Sequence, residues 1–201
     1  MKNRVLLILS IVLFCNIFLS GVEKAEAAIG KDVLTLAAQQ DVVVVIEKSV
    51  NKMTVFYQGK PFKNFLCALG VNPQGDKQRQ GDNRTPEGQF FITDKERLND
   101  HPYLGRKWLG LSYPDPVHAI KGIENNLINV SQYDEIISAN AQKAMPPQNT
   151  LLGGWIGIHG GRDDLTKERV NWTEGCIALQ DADLEVLYNL VQYGTPVVIV
   201  P

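Results

Sequence analysis

Apolar positions in this chain fall into two kinds of run. Short stretches rich in β-branched residues, each closed by turn residues, predict strands at 42–47, 53–58, 62–70 and 88–93. Residues 49–52 and the Tyr57-Gln58-Gly59-Lys60-Pro61 segment supply turns between them. The polar stretch 71–86, rich in Gly, Pro, Asp and Asn, predicts a long loop. Residues 94–118 are mixed, with 108–113 extended. Helical stretches lie within 123–145 and stop at Pro146-Pro147. Residues 154–158 are short and apolar, with glycines around them.

The C-terminal pattern is sharper. Asp181 suits an N-cap, and Asp183 and Glu185 in the first turn favour the helix dipole. Leu184, Leu187, Leu190 and Val191 share one helical face. Gly194 fits the position just past the helix, Pro196 follows, and 197–200 reads as a buried strand. No linker, repeat or low-complexity segment interrupts the chain. The pattern predicts one domain, mainly β or α+β, with one or two helices.

Residues 1–27 stand apart. Lys2 and Arg4 precede a fifteen-residue run, 5–19, broken only by Ser10, Cys15 and Asn16, and Ala25-Glu26-Ala27 offers a small-x-small cleavage site. This is the layout of a secretory signal, and it implies export to the periplasm or cell envelope. The run is shorter than the ~20 residues a spanning helix needs; an uncleaved anchor is the alternative. Phe14 stands before Cys15 where a lipoprotein signal has a small residue. The membrane therefore enters only through this segment.

Composition narrows the classes. The chain has 201 residues, 44% hydrophobic and 21% charged, with a formal charge of −2. That supports one sizeable core and argues against general disorder. No block of Lys or Arg marks a nucleic-acid footprint. Three histidines without His-x-x-His or Cys-x-x-Cys spacing give no metal site, and no cofactor is called for.

Reactive residues concentrate in 154–179. His159 precedes Gly160-Gly161, and Cys176 follows Thr173-Glu174-Gly175 seventeen residues later. A thiol is a weak nucleophile at its ordinary pKa of ~8.5, and a nearby imidazole can hold it as thiolate. Glycines allow close backbone approach, and the N–H groups of a turn can stabilise an oxyanion, worth roughly 10²–10³ in rate for one donor. Each residue also has a plainer reading. His159 fits a satisfied loop histidine, and Cys176 fits a buried small apolar residue or a disulfide with Cys67.

Three ordered blocks break this tie. The His159 to Thr173-Glu174-Gly175-Cys176 arrangement, the Gly81-Asp82-Asn83-Arg84-Thr85-Pro86-Glu87-Gly88-Gln89-Phe90 segment and the Gly194-Thr195-Pro196-Val197-Val198-Ile199 ending resemble the L,D-transpeptidase catalytic domain (YkuD) family over about 42–201. The resemblance implies a β-sandwich-type catalytic domain and an exported cysteine acyltransferase on peptidoglycan stem peptides. In it His159 is the base and Cys176 carries the thioacyl group. Gly160 orients the histidine through its carbonyl, the Gly175 and Cys176 N–H groups serve the oxyanion, and Thr173 belongs to the same turn. Glu174 departs from the histidine common at that position, and Ala178 from the arginine or asparagine soon after the cysteine. NWTEGCIAL is closest to the YafK-type branch, which points also to hydrolysis of stem-peptide bonds or of the bond to a peptidoglycan-linked lipoprotein. A non-catalytic cell-wall binding module is the alternative from another class. Papain-like and NlpC/P60-like hydrolases run Cys before His, the reverse of this order.

Other residues carry two readings each. Arg84 either binds a substrate carboxylate or shapes its loop. Trp155 and Trp172 either line a groove or pack in the core. Asp163, Asp164, Lys167, Glu168 and Arg169 read as a solvated face, and Cys67 as buried and inert. His101 and His118 read as loop residues beside prolines.

Overall fold

The computed structural model describes residues 35–36, 39–166 and 171–201. The expected signal at 1–27, and Lys167, Glu168 and Arg169, lie outside the described residues. Among the described residues no helix is long and apolar enough to cross a membrane.

Eight strands and three helices are named here among the described residues. They follow in the order β1 (Val42–Glu47), β2 (Lys52–Tyr57), β3 (Lys60–Leu66), β4 (Gly88–His101), β5 (Gly105–Leu111), α1 (Pro116–Glu124), α2 (Val130–Ala141), β6 (Gly157–His159), β7 (Ile177–Ala178), α3 (Asp181–Leu190) and β8 (Pro196–Val200). The sheet runs β3-β2-β1-β8-β4-β5-β6-β7. Pairing is antiparallel except for β1 with β8 and β6 with β7. A mixed sheet with three helices agrees with the expected fold class.

The long strand β4 joins the two halves of the sheet. Its residues Gly88 to Phe91 pair with β8, and Ile92 to His101 pair with β5, with register shifts on the way. The mixed pattern after residue 93 hid this continuation, because half of it is exposed and charged. The helix Pro116–Glu124 straddles the mixed stretch 94–118 and the expected helical region 123–145, so only its last two residues fall where helix is expected. Its start is nonetheless encoded: the Asp115 side chain accepts the His118 N–H and Pro116 fills the first turn. His118 therefore sits in a helix, not in a loop. Asn129 and Gln132 form a capping box that starts α2. Helix α3 ends earlier than expected, at Leu190, and Gly194 serves the following turn, where its N–H donates to Ile92 O at 2.8 Å.

The main core lies along both halves of the sheet. It gathers Val44, Ile46, Met53 and Val55 from β1 and β2, Leu109 and Leu111 from β5, Ile158 and Ile177 beside the site, and Leu184 and Leu187 from α3. A second cluster of Ala119, Ile128, Ile136 and Leu152 joins α1 to α2. The loop between β3 and β4 is tied down rather than free. Buried Lys48 donates to Gly75 O at 2.6 Å, Thr85 O at 2.9 Å and Glu87 Oε1 at 2.9 Å.

Leu109 is fully buried in β5, opposite Ile158 of β6. Leu109→Ala is expected to cost ~2–5 kcal/mol by opening a cavity in the core. Urea denaturation checks this as a lower midpoint with an unchanged slope.

Candidate active site

Two short parallel strands position the candidate residues His159 and Cys176. His159 closes β6 and Cys176 immediately precedes β7, in the register Ile158↔Ile177 and His159↔Ala178. Both strands are short because glycines and turns bracket them. The turn before β7 has an internal frame. Thr173 Oγ1 donates to Cys176 O at 2.6 Å and accepts the Gly175 N–H at 3.2 Å. Thr173 is itself fully buried, and its carbonyl accepts the Val71 N–H at 2.9 Å.

Gly175 has φ of 135°, and a Cβ there would lie 2.7 Å from Arg84 O. Only glycine fits both the dihedral and the gap. At Gly160 a Cβ would overlap Asp181 Oδ1, so the bare backbone lets α3 approach the histidine.

His159 is fully buried, and its Nδ1 lies 2.9 Å from Gly160 O. A carbonyl only accepts, so Nδ1 holds the proton and Nε2 keeps its lone pair. Nε2 has no hydrogen-bond partner. Tyr103, Trp108 and Trp172 surround the ring, with centroids at 5.6, 6.2 and 5.6 Å. Burial pulls the imidazole down to about 4, against the opposing Gly160 carbonyl.

Cys176 is partly exposed, and its thiol donates to Trp155 O at 3.3 Å. Burial pushes the thiol up to about 11; the Gly157 N–H and the Lys77 charge oppose this, and the Glu174 carboxylate adds to it. A thiolate held by an imidazolium, the expectation from sequence, is therefore not the resting state. The pair is neutral, because the same burial penalises charge on both members. Cys67 and Cys176 are both free. Cys67 is fully buried, with its thiol pushed up to about 12 by burial alone, so no cystine joins them.

A cavity of about 1330 Å³ opens beside Cys176. Lys77, Tyr103, Trp155, Glu174 and Cys176 line it, together with the turn between α1 and α2. Its size exceeds a usual small-molecule pocket of ~300–1,000 Å³ and suits an extended ligand. Of the residues singled out from sequence, Cys176 lines the wall, whereas His159, Gly160, Thr173, Gly175 and Arg84 do not. Arg84 turns its guanidinium to Asp76 O at 3.4 Å, within its own loop, and gives its backbone carbonyl to the floor under Gly175. The Gly175 N–H is likewise occupied, by Thr173. Among the described residues no cluster of His, Cys, Asp or Glu could hold a metal ion.

Three wall residues had no clear signal in sequence. Lys77 is buried and paired with Asp82 at 2.8 Å. Tyr103 sits on the β4–β5 turn, brought to His159 by pairing that sequence alone did not reveal. Trp155 had two open readings, and the structure decides for the groove. It is 58% exposed and has φ of 54°, a left-handed conformation that aims its carbonyl at the thiol. Trp172 packs edge-on to His159 instead.

The family model described as the L,D-transpeptidase catalytic domain matches residues 41–199. No curated protein matches the chain. Among solved structures, Bd1075 from Bdellovibrio bacteriovorus is similar at 18% identity and a TM-score of 0.52, over 80% of this chain and 48% of that one. The helical cell shape determining protein Pgp2 from Campylobacter jejuni is similar at 22% identity and a TM-score of 0.52, over 84% and 54%. The chain thus spans about half the length of these structures, and at such identities the likeness is one of fold.

Of the two cysteines among the described residues, only Cys176 is expected to take an iodoacetamide adduct in native protein, at a rate that climbs as pH approaches about 11. Cys67 should react only after denaturation. Peptide mass mapping checks both, and an adduct on Cys67 in folded protein would contradict the burial argument.

Proposed function

The chain belongs to the L,D-transpeptidase catalytic domain family, and we propose that it is an exported cysteine acyltransferase of the cell envelope acting on peptidoglycan stem peptides. Cys176 is the nucleophile and His159 its base. The observation that carries this reading is the bare, fully buried Nε2 of His159, one strand away from a thiol on the wall of a large cavity.

The steps follow from the neutral pair. The thiol leaves the Trp155 carbonyl and passes its proton to His159 Nε2 as sulfur attacks a carbonyl on the L-centre of diaminopimelate. The Gly160 carbonyl, holding Nδ1–H, stabilises the imidazolium that forms. The Cys176 N–H serves the oxyanion, because the Gly175 N–H is taken by Thr173 Oγ1. Gly175, Thr173 and Arg84 act here through backbone shape. His159 then protonates the departing amine, D-alanine in the simplest case, leaving a thioester. An incoming amine gives an L,D-link, and the thiol is restored.

A second reading has water as the acceptor. Glu174 favours it, since a carboxylate on the cavity wall beside the thiol suits the orientation of water. The product would then be a trimmed stem, or a lipoprotein released from peptidoglycan. A binding module explains neither the unpartnered imidazole nor the thiol facing the cavity.

Defined tetrapeptide muropeptides and lipoprotein-tethered sacculi, with products weighed by mass spectrometry, separate these outcomes. A cross-linked dimer marks transfer, and a trimmed monomer or freed lipoprotein marks hydrolysis. Cys176→Ala should abolish every product, and His159→Gln should slow formation by about 10²–10⁴-fold. Because His159 is depressed to about 4, its base form is already present at mildly acidic pH. Activity should therefore rise through about pH 4 rather than through the ordinary histidine range near ~6.5. Unchanged products from Cys176→Ala would refute the proposal.

A further inference from the structure

A second histidine, remote from the thiol, joins a charged network that the chemistry above does not use. His118 is 1% exposed and lies between the Phe90 and Tyr113 rings, at 6.1 and 4.9 Å. Its Nδ1 is 2.6 Å from Asp115 Oδ1, and its Nε2 is 2.9 Å from Asp76 Oδ1. Two carboxylates that only accept require both ring nitrogens to donate, which is the imidazolium form. Burial alone would lower this ring, yet the bonds and charges of Asp115 and Asp76 raise it to about 9. Asp76 is correspondingly held well below the usual carboxylate range.

Asp76 is where the network meets the site. It also accepts the Glu87 N–H at 2.9 Å and Lys121 Nζ at 2.8 Å, while its carbonyl takes the Arg84 guanidinium. Between Asp76 and Glu87 runs the segment that floors the nucleophile's turn. Thr85 Oγ1 accepts the Gly70 N–H at 2.9 Å, and Arg84 O lies where a Cβ on Gly175 would have to go.

We propose that His118 is a positioning residue for Cys176: by bridging Asp115 at the head of α1 and Asp76 in the loop, it holds residues 76–87 against the Gly175–Cys176 turn. The proposal rests on Cys176 being the nucleophile. The titratable groups that face the ring are Asp115 at the head of α1, Asp76 in the loop and Tyr113 just before α1; Lys121 and the Glu87 N–H lie beyond, on Asp76, and Lys48 lies beyond Glu87. None of them replaces the second donor when the ring loses its proton. The folded value lies above the unfolded one of ~6.5, so the bridge is complete below that pH and is lost as pH rises through about 9.

The test follows thioacyl-enzyme formation from a tetrapeptide stem, and iodoacetamide alkylation of Cys176, between about pH 7 and about pH 10. NMR reports the His118 ring in the same samples, and circular dichroism reports that the protein stays folded. Thioacylation should fall by about ten- to a hundredfold as the ring titrates, and alkylation should depart there from a single titration curve. His118→Gln should be slow throughout and lack the alkaline fall. A rate indifferent to the ring's titration, or a folded His118→Gln enzyme that keeps both the wild-type rate and its alkaline fall, overturns the proposal. If His118→Gln does not fold, the wild-type titration decides alone. Alkylation needs no peptidoglycan. A protein never acylated by stems whose alkylation still tracks His118 would keep this inference and defeat the functional reading.

Discussion

An imidazole buried from water with one nitrogen fixed on a carbonyl can present only a lone pair at the other. That constraint on His159 organises the molecule around it. The Gly160 carbonyl sets the tautomer, three aromatic rings exclude water, and burial keeps the ring neutral. The cost is an unpartnered polar atom in the interior, which native folds rarely carry without a reason. In the proposed reaction, the need for a base at that atom supplies the reason.

The sheet converts this local state into a site. Parallel pairing of β6 and β7 sets His159 level with Ala178, so the thiol at 176 falls opposite Gly157. Strand β4 supports the arrangement from a distance. It passes from β8 to β5 and so places the Tyr103 turn beside the histidine. The third side is the 71–87 loop, whose carbonyls fill the space that glycine leaves at positions 70 and 175. Close backbone packing of this kind tolerates little movement, so whatever fixes the loop also fixes the turn.

Much of this was legible in the residues. The strand at 42–47, the helix Asp181–Leu190 and the last strand follow from β-branched runs and a 3.6-residue stripe, although Gln180 rather than Asp181 is the N-cap. The pairing of His159 with the Thr173-Glu174-Gly175-Cys176 turn was legible as a motif. What escaped depends on tertiary pairing. The charged half of β4 reads as loop until β5 lies beside it. Helix α1 is short, and His118 gave no signal because its partner Asp76 is forty-two residues away. The protonation state of the dyad was also beyond sequence, since it follows from burial. The thiol turns to Trp155 because that residue adopts a left-handed conformation that a tryptophan in a strand pattern does not announce.

The distribution of charge follows one rule. Buried cations are paired within the scaffold, Lys48 with Glu87, Lys77 with Asp82 and His118 between two carboxylates, and each meets more than one hydrogen-bond partner. Such pairs gain little net stability over an apolar packing, but they are strict about geometry, because losing one partner leaves a buried charge exposed to the interior. His159 and Cys176 obey the opposite arrangement, with two neutral groups and few partners. A nucleophile that must gain and lose charge during a reaction benefits from neighbours that do not titrate with it. Pairing the buried cations within the scaffold separates the work of holding the backbone from the work of moving a proton.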